Sequence, residues 1–145
     1  MRTFKNQTII EASTESIFNV FLTSIKQDFI NFNEEKAVGS TIKKTIRAYS
    51  TKSRHIEIAI KAFEKNKVFE IQSTSSNQVF TSRYELEAID EKKTELTVTE
   101  IVVTQGFLGL FNDLFVKVNF KKGIKTRFGY LVNYLKTQLN TEITN

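Results

Sequence analysis

Four polar side chains that could take part in chemistry are predicted to lie on one inner face of a β-sheet. They are Lys44, Ser82, Tyr84 and Glu100, which alternate with residues of the opposite face along their strands. An inward carboxylate is costly unless it is paired, hydrogen-bonded or near water. Glu100 is therefore solvated at the sheet rim or paired structurally with Lys44 or Tyr84, or else it lines a cavity and binds or activates a ligand. Tyr84 either satisfies its hydroxyl locally or orients a ligand.

Other kinds of catalytic or binding site find little support in the residues. The chain has no Cys and one His, His55, which excludes thiol catalysis, disulfides, a Cys-based zinc site and a multi-His metal cage. His55 is predicted to face solvent near the start of a strand, so we expect a surface histidine. Neither the Walker spacing nor G-x-G-x-x-G occurs. The sequence predicts no catalytic residue, no metal site and no cofactor.

Length and composition fit a single domain spanning residues 1–145. The chain has a mass of 16.7 kDa, and it is 40% hydrophobic and 26% charged, which is typical of a soluble globular protein. The N-terminus lacks the apolar run of a secretory signal. No segment reaches the roughly 18 to 20 apolar residues that span a bilayer. A cytoplasmic location is therefore expected.

The positive charge is concentrated near the C-terminus. The formal net charge is +5, and residues 106–140 hold six of the 21 Lys and Arg residues but one of the 16 acidic residues. This segment is either a solvated helix face or a surface for an anionic membrane or an acidic partner. Nucleic acid is not favoured as a partner, because a stronger basic stripe with base-stacking aromatic residues would be expected.

Hydrophobic periodicity divides the chain into three parts. Residues 2–11 are predicted to form a strand, and residues 13–30 a helical pair that starts at an N-cap, Ser13, and is interrupted near Thr23-Ser24. Residues 38–104 follow a period of two, with turns too short for parallel crossovers, so they predict a five-stranded antiparallel meander. The first strand must pair with an edge of this meander.

Residues 106–140 return to helical spacing. The apolar face of the second half is displaced by roughly a quarter turn from that of the first half. A straight helix would rotate part of this face into water, so we predict a bend or break near Gly123.

The opening residues 10–18, Ile-Glu-Ala-Ser-Thr-Glu-Ser-Ile-Phe, resemble the first strand and helix start of the START-like (SRPBCC, helix-grip) superfamily. The closing helix and the order of elements are also similar, and the chain looks closest to an uncharacterised Gram-positive bacterial family of unknown function. The resemblance implies an α+β fold in which a curved antiparallel sheet of about six strands wraps a long C-terminal helix. It also implies a cavity that commonly holds hydrophobic ligands. Members include lipid carriers, hormone receptors, polyketide cyclases and co-chaperones, and they share no catalytic motif that transfers to this chain.

The favoured hypothesis is a non-enzymatic protein that binds a small hydrophobic or amphipathic ligand between the sheet and the C-terminal helix. The alternatives are a polyketide cyclase or hydrolase-like enzyme that uses Glu100 or Tyr84, and a membrane-surface or protein-interaction module that uses the basic helix. Ligand identity and oligomeric state are not predicted. The predicted cavity-lining residues are Ile58, Phe69, Phe80, Ser82, Tyr84, Val98, Glu100, Phe111, Leu114 and Val118.

Overall fold

The described residues form six strands and two α-helices. The computed structural model describes residues 2–47, 53–75, 78–104 and 123–140. A helix and a single 3-10 turn lie between the first two strands, and the last helix follows the sixth strand. The elements are β1 (Arg2–Ile10), α1 (Thr14–Asp28), a 3-10 turn (Glu34–Lys36), β2 (Thr41–Arg47), β3 (Ser53–Glu64), β4 (Val68–Thr74), β5 (Gln78–Asp90), β6 (Lys93–Thr104) and α2 (residues 123–140).

The six strands form one curved antiparallel sheet in the order β1-β6-β5-β4-β3-β2. Strands β2 to β6 are the predicted meander, in which each strand pairs with its neighbour in sequence. β1 pairs with β6 along its whole length, from Arg2 opposite Val102 to Ile10 opposite Thr94. The architecture is the predicted helix-grip fold, and the predicted pairing of the first strand with an edge of the meander is confirmed.

Helix α1 begins at the predicted cap. The Ser13 hydroxyl accepts a hydrogen bond from the Ser16 backbone N–H at 3.1 Å, which satisfies one free donor of the first turn. The predicted break at Thr23-Ser24 is absent, since the helix continues to Asp28, and the Thr23 hydroxyl donates to the Asn19 carbonyl at 2.9 Å. The predicted helical pair is therefore one helix followed by a 3-10 turn.

Helix α2 packs on the same face of the sheet as α1, and this face is called the inner face below. Ile124, Leu135 and Leu139 are buried. Of the predicted helix 106–140, residues 106–122 lie outside the described residues, and so does the predicted bend that would precede Gly123. None of the helices in the described ranges is long and apolar enough to cross a membrane. The core joins both helices to the sheet through Ile10, Ile17, Phe18, Val20, Phe21, Leu22, Ile25, Phe29, Ile60, Phe69, Leu86, Leu96, Val98, Leu135 and Leu139.

A β-bulge in β3 changes which residues reach the core. The pairing with β4 shifts between Ile60 and Ala62, so one extra residue enters the strand. Beyond the bulge Phe63, rather than Ala62, packs on the inner face, where its ring meets those of Phe18 and Phe32 edge-on at 5.5 and 5.6 Å. Strict alternation from Ile56 would place Ala62 there instead.

Candidate functional site

The strand register brings most of the predicted lining residues together on the inner face. Ser82 lies opposite Glu100, Tyr84 opposite Val98, and Phe80 opposite Val102 across the β5–β6 pair. On the other side of β5, Phe69 lies opposite Tyr84, while Ile58 pairs with Ser73, the neighbour of Phe80. The remaining predicted residues, Phe111, Leu114 and Val118, lie outside the described residues.

Glu100 is a buried carboxylate in the middle of β6. The residue is 5% exposed, and its Oε2 has no hydrogen-bond partner in the part of the chain that the structure describes. Burial raises the pKa of Glu100 above its ordinary value, because desolvation penalises the charged form, and Arg127 opposes this rise. A rim position in bulk water, one of the readings left open by the sequence, is therefore excluded.

The partner of Glu100 is Arg127 of α2, which the sequence analysis did not single out. Arg127 Nη2 lies 3.8 Å from Glu100 Oε1, which is beyond hydrogen-bond distance, and the guanidinium carbon lies 4.9 Å from the centre of the Phe80 ring. The Arg127 side chain is 55% exposed, so it reaches from solvent to the edge of the buried site. Arg127 lies three residues after Ile124 and four before Leu131, so it is next to the apolar stripe of the helix. This spacing could have indicated that its side chain lies near the sheet.

Tyr84 joins this cluster through its hydroxyl end. Its ring stacks on Phe69 at 5.9 Å and is tilted against Phe21 at 5.2 Å. Burial raises the pKa of Tyr84, and the charge of Glu100 raises it further, whereas a hydrogen bond with Ser82 and the charge of Arg127 act in the opposite direction. The phenol is therefore protonated and uncharged near neutral pH. We call Ser82, Tyr84, Glu100 and Arg127 the Glu100 cluster.

Lys44 does not contribute to this cluster. Its ammonium lies 2.9 Å from Asp28 Oδ1 at the end of α1, and both side chains are about half exposed. The suggested pairing of Lys44 with Glu100 is therefore wrong, because β2 is at the far edge of the sheet from β6. His55 is exposed on β3, as predicted, and its Nδ1 lies 3.3 Å from the Thr45 hydroxyl.

Two open clefts lie away from the Glu100 cluster. One, of about 600 Å³, runs along the outer face between Gln7, Thr97, Glu85 and the turn that follows Glu64. The other, of about 370 Å³, lies between the end of α1 and the start of β2. Neither cleft is lined by a residue of α2, so neither corresponds to the predicted cavity between sheet and C-terminal helix.

The sequence profile of one protein family covers most of the chain. The family is described as Domain of unknown function (DUF3284), and its profile matches residues 1–121. The chain belongs to this family. The match includes all six described strands and α1, and therefore Ser82, Tyr84 and Glu100, whereas Arg127 lies beyond it. No curated protein matches the chain.

Solved structures share the fold over nearly the whole chain. The Zhui aromatase/cyclase from Streptomyces sp. R1128 has a TM-score of 0.67 at 9% identity, with 95% of each chain covered. Protein MLL2253 from Mesorhizobium loti has a TM-score of 0.64 at 15% identity, covering 97% of this chain and 98% of that one. The Aha1 dimer from Colwellia psychrerythraea has a TM-score of 0.60 at 18% identity, with 96% of each chain covered. These similarities establish the START-like helix-grip fold and leave the chemistry to the residues of this chain.

Proposed function

We propose that the chain binds a small hydrophobic or amphipathic molecule between the inner face of the sheet and the C-terminal helix. The observation that carries this proposal is the buried Glu100 Oε2, which lacks a hydrogen-bond partner within the described ranges. Leaving a buried acceptor unpaired costs about 1–3 kcal/mol, which a bound polar group would recover. The surroundings are otherwise largely apolar, as in most small-molecule sites.

The neighbouring side chains fit a ligand with an apolar body. Phe69, Tyr84 and Val98 supply aromatic and aliphatic surface next to Glu100. Phe80 extends this surface to the edge of the site, where its ring meets the Arg127 guanidinium. A ligand with an apolar body and one polar end would satisfy both parts of this surface. The remaining lining residues are proposed from the sequence to come from Phe111, Leu114 and Val118.

Binding can be tested with N-phenyl-1-naphthylamine, an uncharged probe whose fluorescence rises in apolar surroundings. We expect saturable binding in the micromolar range, and native mass spectrometry of the freshly purified protein should detect any ligand retained from the host. In Ser82→Phe a ring would occupy the inner face beside Glu100, so binding should be lost. Thr81→Phe is the matched control, because Thr81 is the adjacent residue on the opposite face of β5.

Each outcome of this experiment bears on the proposal. Loss of binding in a folded Ser82→Phe protein, together with retention in Thr81→Phe, supports the inner site. If Ser82→Phe unfolds the protein whereas Thr81→Phe does not, the interior is filled and the proposal fails. Equal binding by both variants would place the probe elsewhere.

A second candidate function is proton transfer on a bound ligand. It is favoured by the convergence of Glu100 and Tyr84, since the charge of Glu100 raises the pKa of Tyr84, and by the aromatase/cyclase with the same fold. Hydrogen–deuterium exchange at the central carbon of decane-2,4-dione would test it. An exchange rate that is higher with the protein than in buffer, and that falls in Glu100→Gln, supports catalysis. A rate that equals the rate in buffer contradicts it.

A third candidate function is binding to an anionic membrane surface through α2. Tyr130 and Tyr134 are 70% and 45% exposed on this helix, and residues 123–140 contain Lys125, Arg127 and Lys136 but no acidic residue. Co-sedimentation with phosphatidylglycerol vesicles, but not with phosphatidylcholine vesicles, is the expected result. Tyr130→Ser should weaken it and Ile9→Ser, an exposed site on β1, should not. An absence of salt-sensitive co-sedimentation would contradict this function.

A further inference from the structure

The unpaired oxygen of Glu100 determines which polar group fits the site. Glu100 lies between Phe4 of β1 and Ser82 of β5 in the strand register. Phe4 has no hydrogen-bonding side chain, and the Ser82 hydroxyl makes no hydrogen bond to Oε2, which has no partner among the described residues. A carboxylate oxygen accepts hydrogen bonds. While Glu100 is ionised, the missing partner of Oε2 is therefore a hydrogen-bond donor.

The charges around Oε2 favour a donor that is itself uncharged. Glu100 and Arg127 carry opposite charges 3.8 Å apart, so the site as a whole is close to neutral. A ligand carboxylate placed next to Oε2, the oxygen without a partner among the described residues of this cluster, would be repelled by the negative charge of Glu100. A ligand ammonium would meet the Arg127 guanidinium. Either ion would also lose its hydration on entering a buried site. The desolvation free energy of an uncharged hydroxyl is much smaller than that of an ion.

The position of Arg127 explains why it does not already satisfy Oε2. Its guanidinium lies over the Phe80 ring and approaches Oε1 rather than Oε2. The side chain is more than half exposed, so water satisfies much of its own hydrogen-bonding capacity. Glu100 therefore has one oxygen near a cation and one that is buried without a hydrogen-bond partner among the described residues.

We propose that the site between the sheet and α2 selects an amphipathic ligand whose polar end is an uncharged hydroxyl, an alcohol or a phenol, donating a hydrogen bond to Glu100 Oε2. The inference rests on the proposed ligand-binding function, which it narrows to a class of head group. The apolar part of such a ligand lies along Phe69, Tyr84 and Val98. Fatty acids and alkylammonium compounds of the same length are disfavoured.

Four probes with one ten-carbon chain separate the possibilities: 1-decanol, decanoate, decylammonium and decyl methyl ether. Each would be titrated at pH 7.5 into the full chain preloaded with N-phenyl-1-naphthylamine, and its displacement of the dye measured. The ether can accept but not donate a hydrogen bond, so it isolates the donor requirement. We expect decanol to bind about tenfold more tightly than the other three, which corresponds to one hydrogen bond to a charged group.

Variants assign the preference to Glu100. In Glu100→Leu, which places an apolar side chain at this buried position, the affinity for decanol should fall to that for the ether. Glu57→Leu is the control, because Glu57 is exposed on β3. Arg127→Met should weaken decanoate further and strengthen decylammonium, since it leaves Glu100 without its opposing charge.

The outcomes distinguish this inference from the function on which it depends. Tightest binding of decanoate or decylammonium, or equal binding of decanol and its ether, overturns the hydroxyl preference while leaving ligand binding intact. A decanol preference that persists in Glu100→Leu overturns the role of Glu100. If neither the dye nor any of the four probes binds, the proposed function fails as well.

Discussion

Arg127 and Glu100 form an ion pair between a solvent-exposed cation and a buried anion. Nη2 and Oε1 are 3.8 Å apart, the arginine side chain is 55% exposed and the glutamate side chain 7% exposed. Solvation of Arg127 weakens its stabilising effect on ionised Glu100, whereas burial of Glu100 penalises its charged form. This imbalance accounts for the raised pKa of Glu100 despite a neighbouring positive charge.

The first prediction concerns the pH dependence of stability. The pKa of Glu100 is higher in the folded than in the unfolded chain, so the folded state binds more protons between the two values. The free energy of unfolding should therefore fall as pH rises from about 4.5, the ordinary pKa, through the raised value. Glu100→Gln removes this loss, so its free energy of unfolding at neutral pH should exceed that of the wild type by about 1–3 kcal/mol. Urea unfolding across the pH range measures this difference.

The matched control for this prediction is Glu57→Gln. Glu57 is exposed on β3, so its substitution should leave the pH profile parallel to that of the wild type. A Glu100→Gln profile that is also parallel to the wild-type profile would contradict the raised pKa.

The second prediction concerns the electrostatic role of Arg127. Because the positive charge lowers the pKa of Glu100 and of Tyr84, Arg127→Met should raise both values further. Arg127→Lys keeps the charge and should raise them less. Carboxyl carbon shifts of selectively labelled glutamate, followed by NMR through a pH titration, measure the first change. An unchanged Glu100 titration in Arg127→Met would show that the two groups are not coupled.

The third prediction separates the ring of Tyr84 from its hydroxyl. Tyr84→Phe keeps the contacts with Phe21 and Phe69 and should change the unfolding free energy by less than about 1 kcal/mol. Tyr84→Ala removes them and should cost about 3–5 kcal/mol. Tyr130→Ala is the control at an exposed site, and it should change the unfolding free energy by no more than about 0.5 kcal/mol. A large loss of unfolding free energy in Tyr84→Phe would instead show that the hydroxyl stabilises the fold.

The fourth prediction concerns a buried hydrogen bond at the junction between β1 and α1. Thr94 is fully buried, and its hydroxyl donates to the Ala12 carbonyl at 2.8 Å. Thr94→Val keeps the side-chain shape but leaves that carbonyl without its donor, so a loss of about 1–3 kcal/mol is expected by chemical denaturation. Thr23→Val removes a similar bond at an exposed site and should cost less, because water replaces the donor. Equal losses would contradict this reading.

The period of two was sufficient to place the polar residues of the site. Ser82, Tyr84 and Glu100 each follow an unbroken alternation, and the short turns require antiparallel neighbours, so their common face was predictable. Phe63 was missed because the bulge inserts one residue before it, and no Gly or Pro marks that position.

The partners of the charged residues were less predictable than their faces. Glu100 and Arg127 are brought together by the packing of α2 on β6, which depends on tertiary geometry rather than on local spacing. Lys44 was suggested as a partner of Glu100 from its face alone, although three strands lie between β2 and β6 and Asp28 lies next to Lys44. Sequence patterns thus predicted orientation but not distance.

The pairing of β1 with β6 has a consequence for how the chain folds. Gln7 donates a hydrogen bond to Thr97, 90 positions further along, at 3.1 Å. During synthesis β1 has no strand partner until the last strand has left the ribosome, and closing so large a loop is entropically slow. We therefore expect folding to be completed late, with β1 docking as the final strand.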